Sequence, residues 1–277
     1  MKPAPFDYVR AGSVGEVHDL LAAEGGDARV LAGGQTLLPM LSMRLARPKT
    51  LIDITHIQEL NRLGIERDFI RVGAGVRQAQ LMGMFELASI QPLLAQVLPW
   101  VGHAQTRSRG TVCGSIAHAD PSAELPLALV ALGGMVELSA KGRRRKVAAE
   151  QFFTGMMATA RTDDELIEAV TIPVRRPGYG YAFREFGRRH GDFAIVACAA
   201  IANEAGARLA VGGVADRPVA REFIGAAANG RELDDALDMF AWDLDARDDL
   251  HATAAYRRGL VRAFGREVIE EARRCRA

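Results

Sequence analysis

The sequence predicts an α+β protein in two parts, and three observations carry that prediction. Early in the chain a short apolar run at residues 28–31, a Gly33-Gly34 pair and a helix-like segment follow one another, which is a strand, loop and helix order. Between Pro173 and Tyr179 two prolines and two arginines interrupt the pattern. Beyond that break, residues 181–186, 193–202 and 207–214 read as three antiparallel strands, followed by a helical part that begins within 217–228 and ends in an amphipathic segment, 251–274. The expected division is 1–175, itself split near residue 55, and 176–277.

The elements of the first part follow from local signals. Residues 6–8 look extended, and Ser13 with Glu16 three positions on is a capping-box pattern ahead of Val14, Val17, Leu20 and Leu21 at helical spacing. Gly25-Gly26 stops that helix, and 37–45 is apolar enough for a buried helix ended by Pro48. Residues 50–54 and 69–72 read as strands, and 78–87, 92–101 and 125–132 as helices. Two strands, 135–139 and 145–148, flank the basic run Lys141 to Lys146, which reads as a solvated hairpin tip. Phe152, Phe153, Met156 and Met157 are expected in the core, and 164–173 forms the last strand of the first part.

Composition narrows the function classes. The 277 residues are 49% hydrophobic, enough for a large core, and 35 basic residues nearly balance 34 acidic ones. That balance offers no electrostatic argument for nucleic acid or an anionic membrane surface. No apolar run approaches the ~20 residues of a spanning helix, and the first residues lack an export pattern, so the expected location is the cytoplasm. Cys113, Cys198 and Cys275 have no Cys-x-x-Cys spacing, which gives no disulfide framework and no zinc or iron–sulfur site. His103 and His118 flank the main glycine stretch but are read as hydrogen-bonded structural residues, and no nucleophile, general acid, general base or metal set stands out.

What composition leaves unexplained is the stretch 106–124, TRSRGTVCGSIAHADPSAE. Gly110, Gly114 and the small residues Thr111, Ser115, Ala117 and Ala119 leave backbone N–H groups open to a bulky anion. A second stretch of this kind, Ala32-Gly33-Gly34-Gln35-Thr36-Leu37, follows the early strand. Two such loops suit a two-part anion such as a diphosphate. Either loop alone is equally an ordinary tight turn.

Taken together the two loops resemble those of the FAD-binding medium subunits of the molybdenum hydroxylases, the group that contains carbon monoxide, xanthine and nicotine dehydrogenases. In that family the loops read A-G-G-[HQ]-[ST]-L-[LI]-P and T-[IVL]-G-G-x-x-A-x-x-D-P-x-x-[DE]. They stand here as Ala32 to Pro39 and as Thr111 to Ala117 closed by Asp120-Pro121 and Glu124. Cys113 departs from the pattern at a common glycine, and a positive φ there would strain it. Arg189-His190-Gly191-Asp192-Phe193-Ala194 matches a third pattern, [RK]-x-G-D-[FY]-A, with Phe193 at the aromatic position. The likeness covers essentially the whole chain.

The resemblance implies a two-part FAD-binding domain of the vanillyl-alcohol-oxidase/PCMH type, followed by a small C-terminal domain of a three-stranded antiparallel sheet with helices. It implies FAD held non-covalently, its pyrophosphate between Ala32, Gly33, Gly34, Gln35, Thr36 and Leu37 on one side and Gly110, Thr111, Cys113, Gly114 and Ser115 on the other. Asp120 and Glu124 would serve the cofactor's hydroxyls, Ile167 and Phe193 would lie near the flavin ring, and Arg184 would contact flavin or phosphate. Gly33→Asp or Gly114→Asp is expected to cost cofactor binding more than folding. The implied role is an oxidoreductase subunit in a heterotrimer with a molybdopterin-binding large subunit and a 2Fe-2S small subunit, passing electrons from the clusters to an external acceptor. A flavin-free scaffold of the same fold, which Cys113 favours, and a stand-alone flavin oxidoreductase are the alternatives.

Overall fold

The computed structural model describes residues 2–225 and 229–276. Its first sheet is parallel, with Thr50–Asp53 between Asp7–Arg10 and Ala28–Leu31. The central strand is buried along its whole length. The helix Val14–Glu24 joins the outer strands and turns Val14, Val17 and Leu21 inward. Ser13 caps it by accepting the Glu16 N–H, while the Glu16 carboxylate reaches one residue past the cap to the N–H of Gly12. Gly25, at φ 51°, ends it with a backbone conformation that favours glycine.

The second sheet is antiparallel, in the order Leu63–Glu66, Phe69–Gly73, Leu166–Pro173, Met135–Ala140, Arg143–Ala148. Its centre is the eight-residue strand Leu166–Pro173, with a register shift between Ile167 and Ala169. The basic hairpin is neutralised by its neighbours: Arg143 pairs with Asp164, Arg144 with Glu168, and Arg145 with the buried carboxylate of Glu165. Of the four residues expected in the core between this sheet and the loops, Phe152 and Phe153 are buried and stack edge to face. Met156 and Met157 are exposed, because Phe153–Gly155 and Ala158–Thr159 form a small hairpin whose turn carries both methionines outward.

The third sheet is antiparallel and runs in chain order: Gly180–Phe186, Val196–Ala202, Gly206–Gly212, Val219–Ile224. It therefore has four strands rather than three. The segment 217–228, read as the start of a helical part, contributes the edge strand Val219–Ile224; residues 226–228 lie outside the described residues. The helices Gly230–Asp243 and Ala254–Arg274 pack on one face of this sheet, sharing a core of Leu209, Phe223, Leu237, Phe240, Val261 and Val268. The second helix is capped by the Thr253 hydroxyl, which accepts the Tyr256 N–H, so it begins a turn later than periodicity suggests.

The helix Glu124–Ala131 lies against the other face of the third sheet, and every one of its residues is buried. Its apolar side chains join the core that spans the first two sheets and the inner face of the third. The short helix Pro92–Val97 packs against it, and Leu87–Ile90 packs on that helix in turn. Among the described residues no helix is long and apolar enough to cross a membrane.

Where the third sheet meets the C-terminal helix, space runs out. A Cβ built on Gly180 would stand 1.8 Å from the Ala272 carbonyl oxygen, which is backbone and cannot swing aside. Gly180→Ala is therefore expected to destabilise by about 1–3 kcal/mol, the usual penalty of overpacking. Gly64→Ala, where an added Cβ meets nothing within 4 Å, should change stability far less. Urea unfolding of both variants checks this.

Candidate functional site

One large cavity of about 1080 Å³, at the top of the ~300–1,000 Å³ range of small-molecule sites, is lined by strands of the first two sheets, by the glycine loops and by the segment 191–195 that leads into the third sheet. Its floor is set by two loops that touch. A Cβ on Gly33 would lie 2.5 Å from the Arg109 carbonyl oxygen, 2.7 Å from Gly110 Cα and 2.8 Å from Thr111 N, so only glycine lets the main chains approach this closely. Gly34, at φ 68°, then turns the chain into the helix Leu37–Ser42. Among the described residues, the N–H groups of Gly33, Gly34 and Gln35 donate to no backbone acceptor.

The stretch 106–124 is not the open loop its composition suggests. It contains the end of the helix Ala104–Arg109 and the whole helix Val112–His118, with Gly110 and Thr111 between them. Thr111 caps the second helix by accepting the Gly114 N–H at 3.0 Å. The junction is pinned from behind, since Gln78 N–H donates to Gly110 O at 2.8 Å and Val112 N–H to Val76 O at 3.1 Å. Cys113 sits inside the helix without a positive φ, and its buried thiol lies 3.5 Å from the Val72 carbonyl. The anticipated strain at Cys113 is thus absent.

These contacts revise the expected effect of the aspartate substitutions. At Gly33 a side chain of any kind collides with backbone, and at Gly114 it meets the capping Thr111 hydroxyl at 2.6 Å. Both glycines serve the fold as well as the site.

Ala32, Gly33, Gly34, Gln35, Thr36 and Leu37 line the cavity from the first loop, and Gly110, Thr111, Cys113, Gly114 and Ser115 from the second. Asp120 and Glu124 stand on its wall, Ile167 comes from the start of the central strand of the second sheet, and Phe193 lies at the rim, 66% exposed. Arg184 is elsewhere. It points to the opposite face of the third sheet and pairs with Glu267 and Glu271 of the C-terminal helix, because side chains alternate along the strand Gly180–Phe186.

The structure adds residues that the sequence did not single out. Arg29 and Arg161 line the cavity, and the pKa of the half-buried Arg161 is lowered first by its partial burial and then by the charge of Arg29. Asp249, His251 and Arg257 line it from the C-terminal region. Arg257 is buried and donates to the carbonyls of Ile195 and Gly213 and to the Asp249 carboxylate. Burial works to raise the Asp249 pKa, but the N–H groups of Ala252 and His251 and the Arg257 guanidinium hold it down to about 2. The 188–193 turn is fixed by contacts with its neighbours: an added Cβ on Gly191 would meet the His103 ring at 2.7 Å, and His190 stacks on Trp100 at 4.8 Å. These residues are scattered through the chain at no motif spacing, so only the fold gathers them.

Two carboxyls titrate far from their ordinary range. Burial pushes Glu124 up to about 7, with the charge of Asp120 adding to it and Arg107 opposing. Glu185, buried on the strand Gly180–Phe186, is pushed up to about 8 by burial and then by the charge of Glu124. Glu165 shows the reverse, held down to about 2 by its hydrogen bonds with Arg145. The Cys113 thiol is raised to about 12 by burial.

The family comparison now has geometry to rest on. Residues 4–175 match the family described as the FAD binding domain in molybdopterin dehydrogenase, and residues 181–272 match the CO dehydrogenase flavoprotein C-terminal domain. The chain belongs to the FAD-binding medium subunits of the molybdenum hydroxylases. It is 36% identical to the nicotine 6-hydroxylase medium subunit of Paenarthrobacter nicotinovorans, covering 98% of this chain and 99% of that protein. It is 32% identical to the carbon monoxide dehydrogenase medium chain of Afipia carboxidovorans, over 99% and 98%. Among solved structures, the carbon monoxide dehydrogenase from Hydrogenophaga pseudoflava superposes with a TM-score of 0.95 at 31% identity, covering 100% of both chains. Quinoline 2-oxidoreductase from Pseudomonas putida 86 gives 0.90 at 33%, covering 99% of each. FAD is the cofactor of this medium subunit, and the close backbone approach at Gly33, the unclaimed N–H groups beside it and the cavity's size all fit a dinucleotide.

Two outcomes follow from the titrations. A thiol raised to about 12 is un-ionised at neutral pH, so Cys113 should resist alkylation in the native protein while the exposed Cys275 reacts; peptide mapping after alkylation reads this directly. For Glu185 the folded state holds a proton that the unfolded chain releases near the ordinary 4.5. Its contribution to stability is therefore fully present below that value and lost as pH rises through about 8. Melting temperatures of the wild type and Glu185→Gln should diverge over this window in favour of the variant, by roughly several degrees at the alkaline end.

Proposed function

We propose that this medium subunit is the electron outlet of a molybdenum-containing hydroxylase or dehydrogenase. Electrons arrive from the iron–sulfur clusters of a 2Fe-2S small subunit, after a molybdopterin-binding large subunit has oxidised the organic substrate, and leave to an external acceptor. FAD supplies the chemistry, since it exchanges electrons singly and in pairs. This chain's own residues bind it, orient it and exclude water. The names of the relatives support the assembly: one is a medium subunit of nicotine 6-hydroxylase and another a medium chain of carbon monoxide dehydrogenase.

In this reading residues 1–175 form the FAD-binding domain and 176–277 the C-terminal domain, in the cytoplasm. The N–H groups beside Gly33 and Gly34 and the Gly110–Ser115 junction would hold the pyrophosphate, Asp120 and Glu124 would serve the cofactor's polar groups, and Ile167 and Phe193 would bound the ring. The observation that carries the reading is the meeting of the two glycine loops at Gly33 on the floor of a cavity that both then line. Nothing about Cys113 favours the flavin-free scaffold, since its helical backbone keeps the second loop intact.

The expected result of affinity purification from the native source, with molybdenum and iron supplied, is recovery with both partner subunits in equal stoichiometry and with both metals. The isolated chain should release a yellow chromophore on acid precipitation yet oxidise no heterocycle or aldehyde. Recovery without molybdenum and iron would overturn the proposed assembly.

A further inference from the structure

One polar side chain beside the meeting point of the two glycine loops has no partner in the protein. Gln78 opens the short helix Gln78–Met82, and the segment leading into it pairs with the second loop. Arg77 and Thr111 form an antiparallel bridge, the Gln78 N–H donates to Gly110 O at 2.8 Å, and the Val112 N–H donates to Val76 O at 3.1 Å. This pairing carries the Gln78 side chain alongside Gly110. A Cβ built on Gly110 would stand 3.0 Å from Gln78 Oε1 and 3.2 Å from its Cδ, and the Cα of the same glycine lies 2.7 Å from where a Gly33 Cβ would be. The amide therefore sits at the joint of the two loops, and Gln78 lines the cavity there.

Gln78 is 5% exposed, and its Oε1 is enclosed without a hydrogen-bond partner. Among the described residues its Nε2 bonds nothing either. Other polar side chains of the two loops are already engaged. Gln35 Nε2 donates to Gly33 O at 3.1 Å, the Thr111 hydroxyl accepts the Gly114 N–H, and Asp120 Oδ1 accepts the Ser122 N–H. Buried polar side chains are as a rule paired, and an unpaired one costs stability that an apolar side chain of the same shape would not. What remains to pair this amide is the occupant of the cavity.

We propose that the Gln78 amide is a further contact of the cofactor, outside both glycine motifs, with Nε2 donating to an oxygen of the pyrophosphate. The inference rests on the reading of the two loops as the pyrophosphate site. A pyrophosphate at neutral pH offers acceptors only, which selects the NH2 end of the amide. The last torsion of the side chain is soft, and with no protein bond to break the amide is free to present that end. The donor comes from a third segment of the chain. The anion thus ties the junction at 73–78, between a strand of the second sheet and the helix Gln78–Met82, to both glycine loops.

The test uses the full chain freed of FAD and two variants that keep the backbone N–H bonded to Gly110. Gln78→Met keeps the unbranched shape and removes the donor, while Gln78→Glu keeps the shape and puts a carboxyl in place of the amide. In FAD titrations followed by flavin fluorescence, Gln78→Met should bind about tenfold to a hundredfold more weakly than the wild type. Its apoprotein should melt at or above the wild-type temperature, because the fold has lost no hydrogen bond. Gln78→Glu should lose more than Gln78→Met at about pH 8, and its affinity relative to the wild type should recover as pH falls through the carboxyl range, since the protonated group donates again and no longer repels the anion. Equal FAD affinity of the wild type and Gln78→Met overturns the proposal. So does a Gln78→Met apoprotein that melts well below the wild type, which would assign the amide to the fold. A relative affinity of Gln78→Glu that does not change with pH overturns it too, because the introduced carboxyl would then lie away from the anion. If the wild type itself binds no FAD, the cofactor reading falls and the inference with it.

Discussion

The contact on which this structure depends is a place where two main chains come nearly as close as main chains can. Gly33 leans on the Arg109 carbonyl and the Gly110–Thr111 peptide, with no room for even a methyl group. That approach joins the small parallel sheet to the helix Val112–His118, and the segment that follows the strand Phe69–Gly73 holds the junction from behind through Gln78 and Val76. The cavity is a by-product of this joint. Side chains that would fill the space in an ordinary core are missing at Gly33, Gly34, Gly110 and Gly114 and small at Ser115, and the polar backbone left uncovered suits an anionic ligand rather than apolar packing.

Much of this was legible in the sequence because the signals are local. A strand followed by Gly33-Gly34 and a short helix, the Ser13 cap, and the interruption between Pro173 and Tyr179 each follow from a few neighbouring residues. The two glycine stretches, read together with the help of the family resemblance, line one cavity. Where the reading failed, the deciding contacts were distant. The strand Val219–Ile224 pairs with Gly206–Gly212, and its own sequence, VAREFI, carries too weak an alternation to separate it from a helix. Met156 and Met157 look like core by composition, but a two-strand hairpin turns them outward.

Arg184 and Glu185 make the same point in opposite directions. The arginine was expected beside an anion and lies on the side of the sheet covered by the C-terminal helix, away from the cavity; the glutamate drew no notice and is buried on the other side. Alternation along the strand Gly180–Phe186 separates the two, but the sequence does not say which face the C-terminal helix will take through Glu267 and Glu271. The burial of Glu124 and of Glu185 is invisible in sequence for another reason. Glu124 and Glu185 lie far apart along the chain, and an enclosed charge announces itself only when its solvent and partners are known.

The helix Glu124–Ala131 has no face turned to water, since one side meets the third sheet and the others meet the core of the first two. Most surface helices carry a polar stripe on which a module boundary can be drawn. This one does not, and so the two halves of the chain are not interchangeable parts: grafting the C-terminal half of one relative onto the N-terminal half of another would ask a foreign sheet to cover eight side chains fitted to their own. Pairs of substitutions across that seam, rather than within either half, are where divergence among these subunits has to be coordinated.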